Sequence, residues 1–257
     1  MKSIIEIYNY REMLFNLVKK DLRTRYKGSV MGFLWTFINP LLQLLVYSIV
    51  FSIIMRVDID NFPMYLFIGL VPWMFFSGAI LSSTSCIINN KDLIKKIYFP
   101  RIVIPISITS SVFMNMIYTM PILIIAIYVF GIEISWMIIF LPIIMLLQYI
   151  FVVGMCLAFS ALNVYFRDLE HILGILMMVW FYLTPIVYSI DMIPTSYRWM
   201  IYVNPMAVII SAYRDVLFYN IIPDFQQLGV IFIYSFVFLI LGYFIFDKLQ
   251  KNFVEEL

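Results

Sequence analysis

Long uncharged apolar runs, separated by short charged segments, set the pattern of this chain. Stretches without Asp, Glu, Lys or Arg extend over Gly28–Met55, Asn61–Asn90, Ile102–Ile132, Ile134–Phe166, Ile172–Ile190 and Phe225–Phe246. A helix needs roughly 20 apolar residues to cross the hydrocarbon core of a bilayer, so each run predicts one crossing, the fifth being the tightest fit. A shorter run, Trp199–Tyr213, contains Asn204-Pro205. It is too short for a comfortable span and predicts a re-entrant or interfacial helix. Solid runs of Ile, Leu, Phe and Met are not the alternating segments of a membrane barrel. The expected fold is therefore an all-α integral membrane protein forming one transmembrane domain over 1–257. It has an N-terminal amphipathic interface helix over 1–27 and six transmembrane helices over 28–55, 61–90, 102–132, 134–166, 172–190 and 225–246. An external, gate-like segment over 191–224 re-enters before the last span.

Composition strengthens the membrane reading. Of the 257 residues 64% are hydrophobic, 18% aromatic and 12% charged, where soluble domains carry about 45–50% apolar and about 25% charged residues. That much apolar side chain exceeds what a soluble core can bury. A soluble enzyme, a nucleic-acid binder, a disulfide-stapled secreted domain and a disordered chain are all excluded.

The charges are sorted by side. With an even number of spans both termini share one face of the membrane, and all of the 17 Lys and Arg except Arg56, Arg198 and Arg214 fall on that face. Basic loops stay inside, so both termini are expected in the cytoplasm. The first 27 residues are too charged to hold the apolar region of a cleavable signal peptide. At about 100° per residue, Ile4, Ile7, Tyr8, Leu14, Phe15, Val18 and Leu22 share one side of a helix, with Arg11 the exception. Lys19, Lys20, Arg23 and Lys27 point elsewhere, toward anionic head groups or phosphates, or serve as plain orienting charges.

Much chemistry is missing from the sequence. Cys86 and Cys156 lie within apolar spans without C-x-x-C spacing, and His171 is the single histidine, so no metal site is expected. No G-x-x-x-x-G-K-[ST] motif occurs, hence no P-loop ATP site in this chain. Gly28-x-x-x-Gly32 fits a small-residue helix-packing pattern at an entry point. No Asp, Glu, Lys, Arg or His lies within any of the six spans, whereas ion-coupled carriers and voltage sensors need such groups at depth. Asp168 with Glu170, and Asp58 with Asp60, are close acidic pairs beside the spans, and neither has an accompanying metal or phosphate set.

Three segments depart from generic membrane helix. In the loop from Asn89 to Arg101, Leu93, Ile94, Ile97 and Tyr98 can form one apolar side of a short helix ended by Pro100, with Lys91, Lys95 and Lys96 facing away. Such a helix is either a lever between two spans or a solvated loop with orienting charges. The short connection Asn163–His171 holds Arg167, Asp168 and Glu170, whose mutual pairing would rigidify the turn. The segment Asp191–Asp224 carries Pro194, Pro205 and Pro223 with Tyr197, Trp199, Tyr202 and Tyr213, suited either to closing a pathway or to interfacial anchoring. Aromatic faces along the spans also suit the apolar faces of sugars.

At these same places the chain resembles a known family. The matching elements are a basic amphipathic start, Lys27-Gly28-Ser29-Val30-Met31-Gly32-Phe33-Leu34-Trp35 with Asn39-Pro40-Leu41, and Pro72-Trp73-Met74-Phe75-Phe76-Ser77. They continue through the Lys91–Arg101 loop, Tyr165-Phe166-Arg167-Asp168, Thr184-Pro185-Ile186-Val187-Tyr188 and Asn204-Pro205-Met206. In this order they resemble the membrane-spanning permease subunit of ABC exporters for lipid-linked polysaccharides, of the O-antigen (lipopolysaccharide) and teichoic acid types. The resemblance implies a transporter subunit, not an enzyme, in the bacterial cytoplasmic (inner) membrane. It implies a homodimer with two copies of a separate ATP-binding subunit, which would hold ATP and Mg while this chain holds no cofactor. The cargo would be an undecaprenyl-diphosphate-linked glycan, with membrane lipids as surroundings and no nucleic acid. By position, Arg23, Arg25 and Lys27 are the candidates for the pyrophosphate entrance. Trp35, Tyr47, Trp73, Phe76, Trp180 and Tyr188 are candidates for the channel, and Tyr197, Trp199 and Tyr202 for an external gate. Lys91, Asp92, Leu93, Ile94, Lys95, Lys96 and Ile97 would couple to the ATPase, with Arg167 and Asp168 structural. The rival readings are an efflux permease of the same fold for a drug or small lipid, and a stand-alone membrane glycosyl- or phosphotransferase.

Overall fold

A computed structural model describes residues 8–54 and 59–256, apart from the side chains of 25, 26, 53, 200, 202 and 254. Ile4, Ile7, Met55, Arg56 and Asp58 lie outside the described residues. The apolar runs are helical, and no strand occurs among the described residues. Helix α1 (Arg11–Tyr26) is followed by a 3₁₀ turn, Gly32–Leu34, and by α2 (Trp35–Ser48), which continues as a π-helix over Ile49–Ile54. Next come α3 (Phe62–Thr84), α4 (Cys86–Asn89), α5 (Lys91–Lys96) and α6 (Val103–Val129). A 3₁₀ turn, Trp136–Phe140, opens α7 (Leu141–Tyr165), followed by α8 (Leu169–Leu183). The chain closes with α9 (Trp199–Val203), α10 (Pro205–Leu217), α11 (Phe225–Leu249) and α12 (Phe253–Glu256).

Among the described residues five stretches are long and apolar enough to cross a membrane: Gly32–Ser52, Phe62–Thr84, Val103–Val129, Trp136–Tyr165 and Phe225–Asn252. The fifth expected span is the short one. Helix α8 has 15 residues, about 22 Å at 1.5 Å per residue, against a hydrocarbon core of about 30 Å. Its chain continues as non-helical Thr184–Tyr188, where the backbone needs other partners.

Helix α3 is apolar all round, and that composition suits the middle of a bundle. It packs against α2, α6, α7, α8 and α10, and Met64, Leu66, Phe67, Ile68 and Phe76 are fully enclosed. By contrast α2, α8 and α11 each keep one apolar side open, including Leu45 and Val46, Ile175 and Val179, and Ile240 and Phe244. Lipid or another chain can cover such surfaces, because neither carries a penalty for apolar side chains.

The most extensive helix pair is α7 with α11. They run parallel: Ser235 Oγ donates to Leu147 O at 2.7 Å, and Gly242 lies directly on Gly154 with no room for a β-carbon at either. The expected packing glycines behave differently. Gly28 and Gly32 have φ of +83° and +50° with open space around them, so they turn the chain between α1 and α2 rather than join helices.

Helix α1 packs on α6, where Ser111 Oγ donates to the Asp21 carboxylate, and Val18 is buried. The expected single apolar side divides: Val18 is buried whereas Tyr8 and Phe15 are exposed, because one helix covers only part of so broad a stripe. Arg11 turns outward, donating to Tyr8 O at 3.2 Å with its guanidinium over the Tyr8 ring.

Candidate functional site

The segment expected to be external is fastened to the short fifth apolar helix by two side chains, Asn204 and Arg214. Asn204 caps α10: its Oδ1 accepts from Met206 N at 3.1 Å and Ala207 N at 3.4 Å, and Pro205 fits the first helical turn, where its missing N–H costs nothing. The same Oδ1 accepts from Trp180 Nε1 at 2.9 Å. Its Nδ2 donates to Thr184 Oγ1 at 3.0 Å and Leu183 O at 3.3 Å. One carboxamide thus caps one helix and finishes another.

Arg214 is 3% exposed and has no carboxylate partner among the described residues. Its guanidinium donates to Pro185 O, to Ile186 O at 2.8 Å and to Tyr65 O at 3.3 Å. It also stacks 3.5 Å from the centroid of the Tyr65 ring. Gly69 makes room for it, since a β-carbon there would meet Nη2 at 3.0 Å. Burial lowers the Arg214 pKa to about 10, so the group stays charged at neutral pH. The neighbouring Asp215 does not neutralise it; burial first, then Asp224, pushes that carboxyl up to about 6. The planar fork serves carbonyls that the end of α8 would leave bare, and irregular backbone is tolerated in a membrane protein only when so served. A buried polar chain runs beside it: Tyr213 OH donates to Gln148 Oε1 and Gln148 Nε2 to Pro72 O, each at 2.9 Å.

Four of the six expected channel aromatics come together. Tyr47 stacks on Phe181 at 5.6 Å, Phe181 meets Trp73 at 5.7 Å, Trp73 meets Phe76 at 5.4 Å and Phe76 meets Trp180 at 5.1 Å. The array crosses from α2 through α3 to α8. Within it Trp73 and Phe76 are enclosed by the protein, at 6% and 0% exposure, so in this conformation they pack rather than line open space. Tyr188 stands apart, beyond the end of α8; its hydroxyl donates to Tyr182 O at 3.0 Å while its carbonyl accepts from Tyr65 OH at 3.2 Å. Trp35 is also separate, donating to Ser29 Oγ at 3.0 Å at the edge of a cavity of about 200 Å³ that Thr36, Asn39, Asn115 and Thr119 also line.

Of the expected gate residues, Tyr197 and Trp199 are exposed on either side of Arg198, which pairs with Asp191 at 3.7 Å. The Tyr202 side chain lies outside those described. The segment is also tied to the α6–α7 connection, where Asn220 Nδ2 donates to Glu133 O at 2.6 Å and its Oδ1 accepts from Ser135 N at 3.3 Å.

At the opposite end, Arg23 and Lys27 line one groove of about 520 Å³ with Asn16, Lys19, Lys20 and Thr24. The Arg25 side chain lies outside those described. Lys19, Lys20, Arg23 and Lys27 thus place four cations along an otherwise neutral-polar groove.

The coupling loop departs from expectation. Its helix ends at Lys96, four residues before Pro100, because Ile97 is extended (φ −129°, ψ 136°). Ile94 and Phe99 are buried, whereas Ile97 and Tyr98 project, at 55% and 96% exposure. The expected apolar side of Leu93, Ile94, Ile97 and Tyr98 is therefore split between core and surface, with Leu93 half-buried and Lys91, Asp92, Lys95 and Lys96 exposed. The expected pairing of Arg167 is also corrected: it bonds neither Asp168 nor Glu170. Backbone closes that turn, Leu169 N donating to Phe166 O at 3.0 Å and Ile172 N to Asp168 O at 3.1 Å. Exposed ion pairs contribute little, so water solvates these charges instead.

Arg214 is the residue that sequence reasoning missed, grouped there with external loop charges. Its signal was its position: a lone cation directly after the apolar run Trp199–Tyr213.

A bundle of apolar helices with a short fifth helix, a pinned segment after it and a projecting apolar loop tip defines a multi-pass membrane subunit of the permease class. The chain belongs to the ABC-2 type transporter family, whose model matches residues 12–218. It is 39% identical over 248 residues to the O-antigen export system permease protein RfbA of Klebsiella pneumoniae, covering 96% of this chain and 95% of that one. It is 34% identical to the protein of that name from Myxococcus xanthus, covering the whole of both. The polysialic acid transport protein KpsM of Escherichia coli is 24% identical over 237 residues, with 88% and 89% covered.

Proposed function

We propose that this chain is the permease subunit of an ATP-driven exporter that carries an undecaprenyl-diphosphate-linked cell-surface polysaccharide, of the O-antigen kind, across the bacterial cytoplasmic membrane. Two copies form the pathway, and two copies of a separate ATP-binding subunit hold ATP and Mg at the cytoplasmic face, where both termini lie. The observation that carries this reading is the end-to-end likeness to permeases named for O-antigen export. The geometry supports it in three places. The basic groove of Arg23 and Lys27 suits a pyrophosphate, and Arg25 completes the set by sequence. The uncharged aromatic array suits sugar faces, which stack on aromatic rings without fixing a charge. The open apolar sides of α2 and α8 suit a second copy, whose approach would put the array beside the shared path; Tyr197, Trp199 and Tyr202 would then close the external end.

Deleting the gene is expected to remove the surface polysaccharide and accumulate the lipid-linked glycan on the cytoplasmic side. Surface glycan at the parental level would overturn the export reading. In the reconstituted complex, replacing Arg23, Arg25 and Lys27 together with Gln is expected to cut stimulation of the ATPase by lipid-linked substrate about tenfold, since charge-assisted contacts to phosphate are the strong ones. Unchanged stimulation would remove the pyrophosphate assignment.

Ile97 and Tyr98 are the expected contact with the ATP-binding subunit, because this large apolar pair projects from a basic loop and stays exposed among the described residues. Ile97→Asp with Tyr98→Asp should abolish co-purification of the ATPase while the permease still elutes as a folded species. Retention of the ATPase at parental stoichiometry would place the contact elsewhere.

A further inference from the structure

The end of the molecule that carries the coupling loop has a small hydrophobic core of its own, separate from the main one. Ile94 and Phe99 of the loop enter it from one side, Leu157 and Val164 of α7 from another, and Phe246 and Phe253 from the carboxyl-terminal segment. Phe253 is fully buried, packed edge-on against Phe246 at 5.6 Å and near Tyr165 at 6.4 Å. The backbone around it is held on two sides. Tyr165 OH of α7 donates to Leu249 O at 2.9 Å, and Arg101 Nη1, at the end of the loop, donates to Gln250 O. The Arg101 guanidinium also lies 6.0 Å from the Phe253 ring centroid.

These contacts close a circuit that the sequence order does not contain. The loop joins α3 to α6, so a push on it would be expected to move those two helices. Arg101 and Phe253 instead bind it to the α7–α11 pair, which has little freedom to shear because Gly154 and Gly242 interlock. We propose that the carboxyl-terminal segment is the clamp that delivers displacement of the coupling loop to the α7–α11 pair. Arg101 and Phe253 are its positioning residues, and Tyr165 fixes the clamp to α7. The role of the loop in energy coupling rests on the function proposed above; the clamp itself is a mechanical statement about this chain.

The test therefore has one arm without the ATPase and one with it. In the purified permease alone, Phe253→Ala and Arg101→Gln should each speed amide exchange in residues 93–104 about tenfold, as expected when a local unit loses its closing contacts, with exchange in α3 unchanged. Tyr165→Phe, which removes one hydroxyl and keeps the ring, is expected to do the same more weakly. In the reconstituted complex, Arg101→Gln should lower glycan exported per ATP hydrolysed about tenfold at unchanged ATPase stoichiometry, with Arg101→Lys restoring part of the ratio. Unchanged loop exchange in both Phe253→Ala and Arg101→Gln overturns the clamp. Faster exchange with an unchanged export-to-ATP ratio overturns its role in delivering displacement. Absence of ATP-coupled export in the parent complex counts against the proposed function instead, and the exchange arm still decides the clamp.

Discussion

Replacing Arg214 with Leu is expected to lower the thermal midpoint of the detergent-solubilised protein by about 6–12 °C, with export lost at the growth temperature. The substitution leaves the carbonyls of Tyr65, Pro185 and Ile186 without their donor, and a buried unsatisfied polar group costs about 1–3 kcal/mol. Removing a buried charge gives back part of that loss, because desolvation opposes burying a cation at all. The unsatisfied carbonyls should prevail. A single apolar side chain cannot serve three acceptors, and water reaches none of them easily where the guanidinium is 3% exposed. With each kcal/mol worth about 2–4 °C in a chain of this size, a net loss near 3 kcal/mol gives the stated shift. Arg214→Lys keeps the charge and loses the fork, so it should fall between parent and Leu. Size-exclusion recovery after graded heating reads all three. A Leu variant as heat-resistant as the parent would mean the end of α8 finds other donors.

The sequence reading and the structure part company where distant segments meet. Six apolar runs and the tight fit of the fifth were legible because a bilayer imposes length and polarity on each helix separately. Asn204-Pro205 was legible as a break in an apolar run, since capping is local. Arg214 was not: its meaning depends on Pro185 and Ile186 being left without helical partners, a consequence of packing rather than of its neighbours in sequence. The apolar residues of the coupling loop look alike in sequence, yet the core takes Ile94 and Phe99 and leaves Ile97 and Tyr98 outside. The core that takes them includes Phe246 and Phe253, residues distant in sequence from the loop. The aromatic candidates show the same limit. Tyr47, Trp73, Phe76 and Trp180 do meet, but composition could not distinguish a packed array from an open lining.

Glycine gives the sharpest case of this limit and the second large expected effect. Gly28-x-x-x-Gly32 has packing spacing but sits in turns with nothing nearby, whereas Gly154 and Gly242 belong to no motif and touch backbone to backbone. A β-carbon built on Gly242 collides with the Gly154 carbonyl, and one built on Gly154 collides with the backbone at Phe238 and Leu239. Backbone cannot swing aside as a flexible side chain can, so even Gly242→Ala must force α7 and α11 apart. Separation would also strain the Ser235–Leu147 hydrogen bond. Overpacking typically costs about 1–3 kcal/mol and more where the obstacle is rigid, so Gly242→Ala should lower the thermal midpoint by several degrees and Gly242→Val should prevent accumulation of folded protein. The control lies in the same helix. Gly229 has open space around its β position, and Ala there should be neutral or stabilising by about 0.5–1 kcal/mol because glycine weakens a helix interior. If Gly229→Ala and Gly242→Ala gave the same midpoint, the two helices would have to meet some other way.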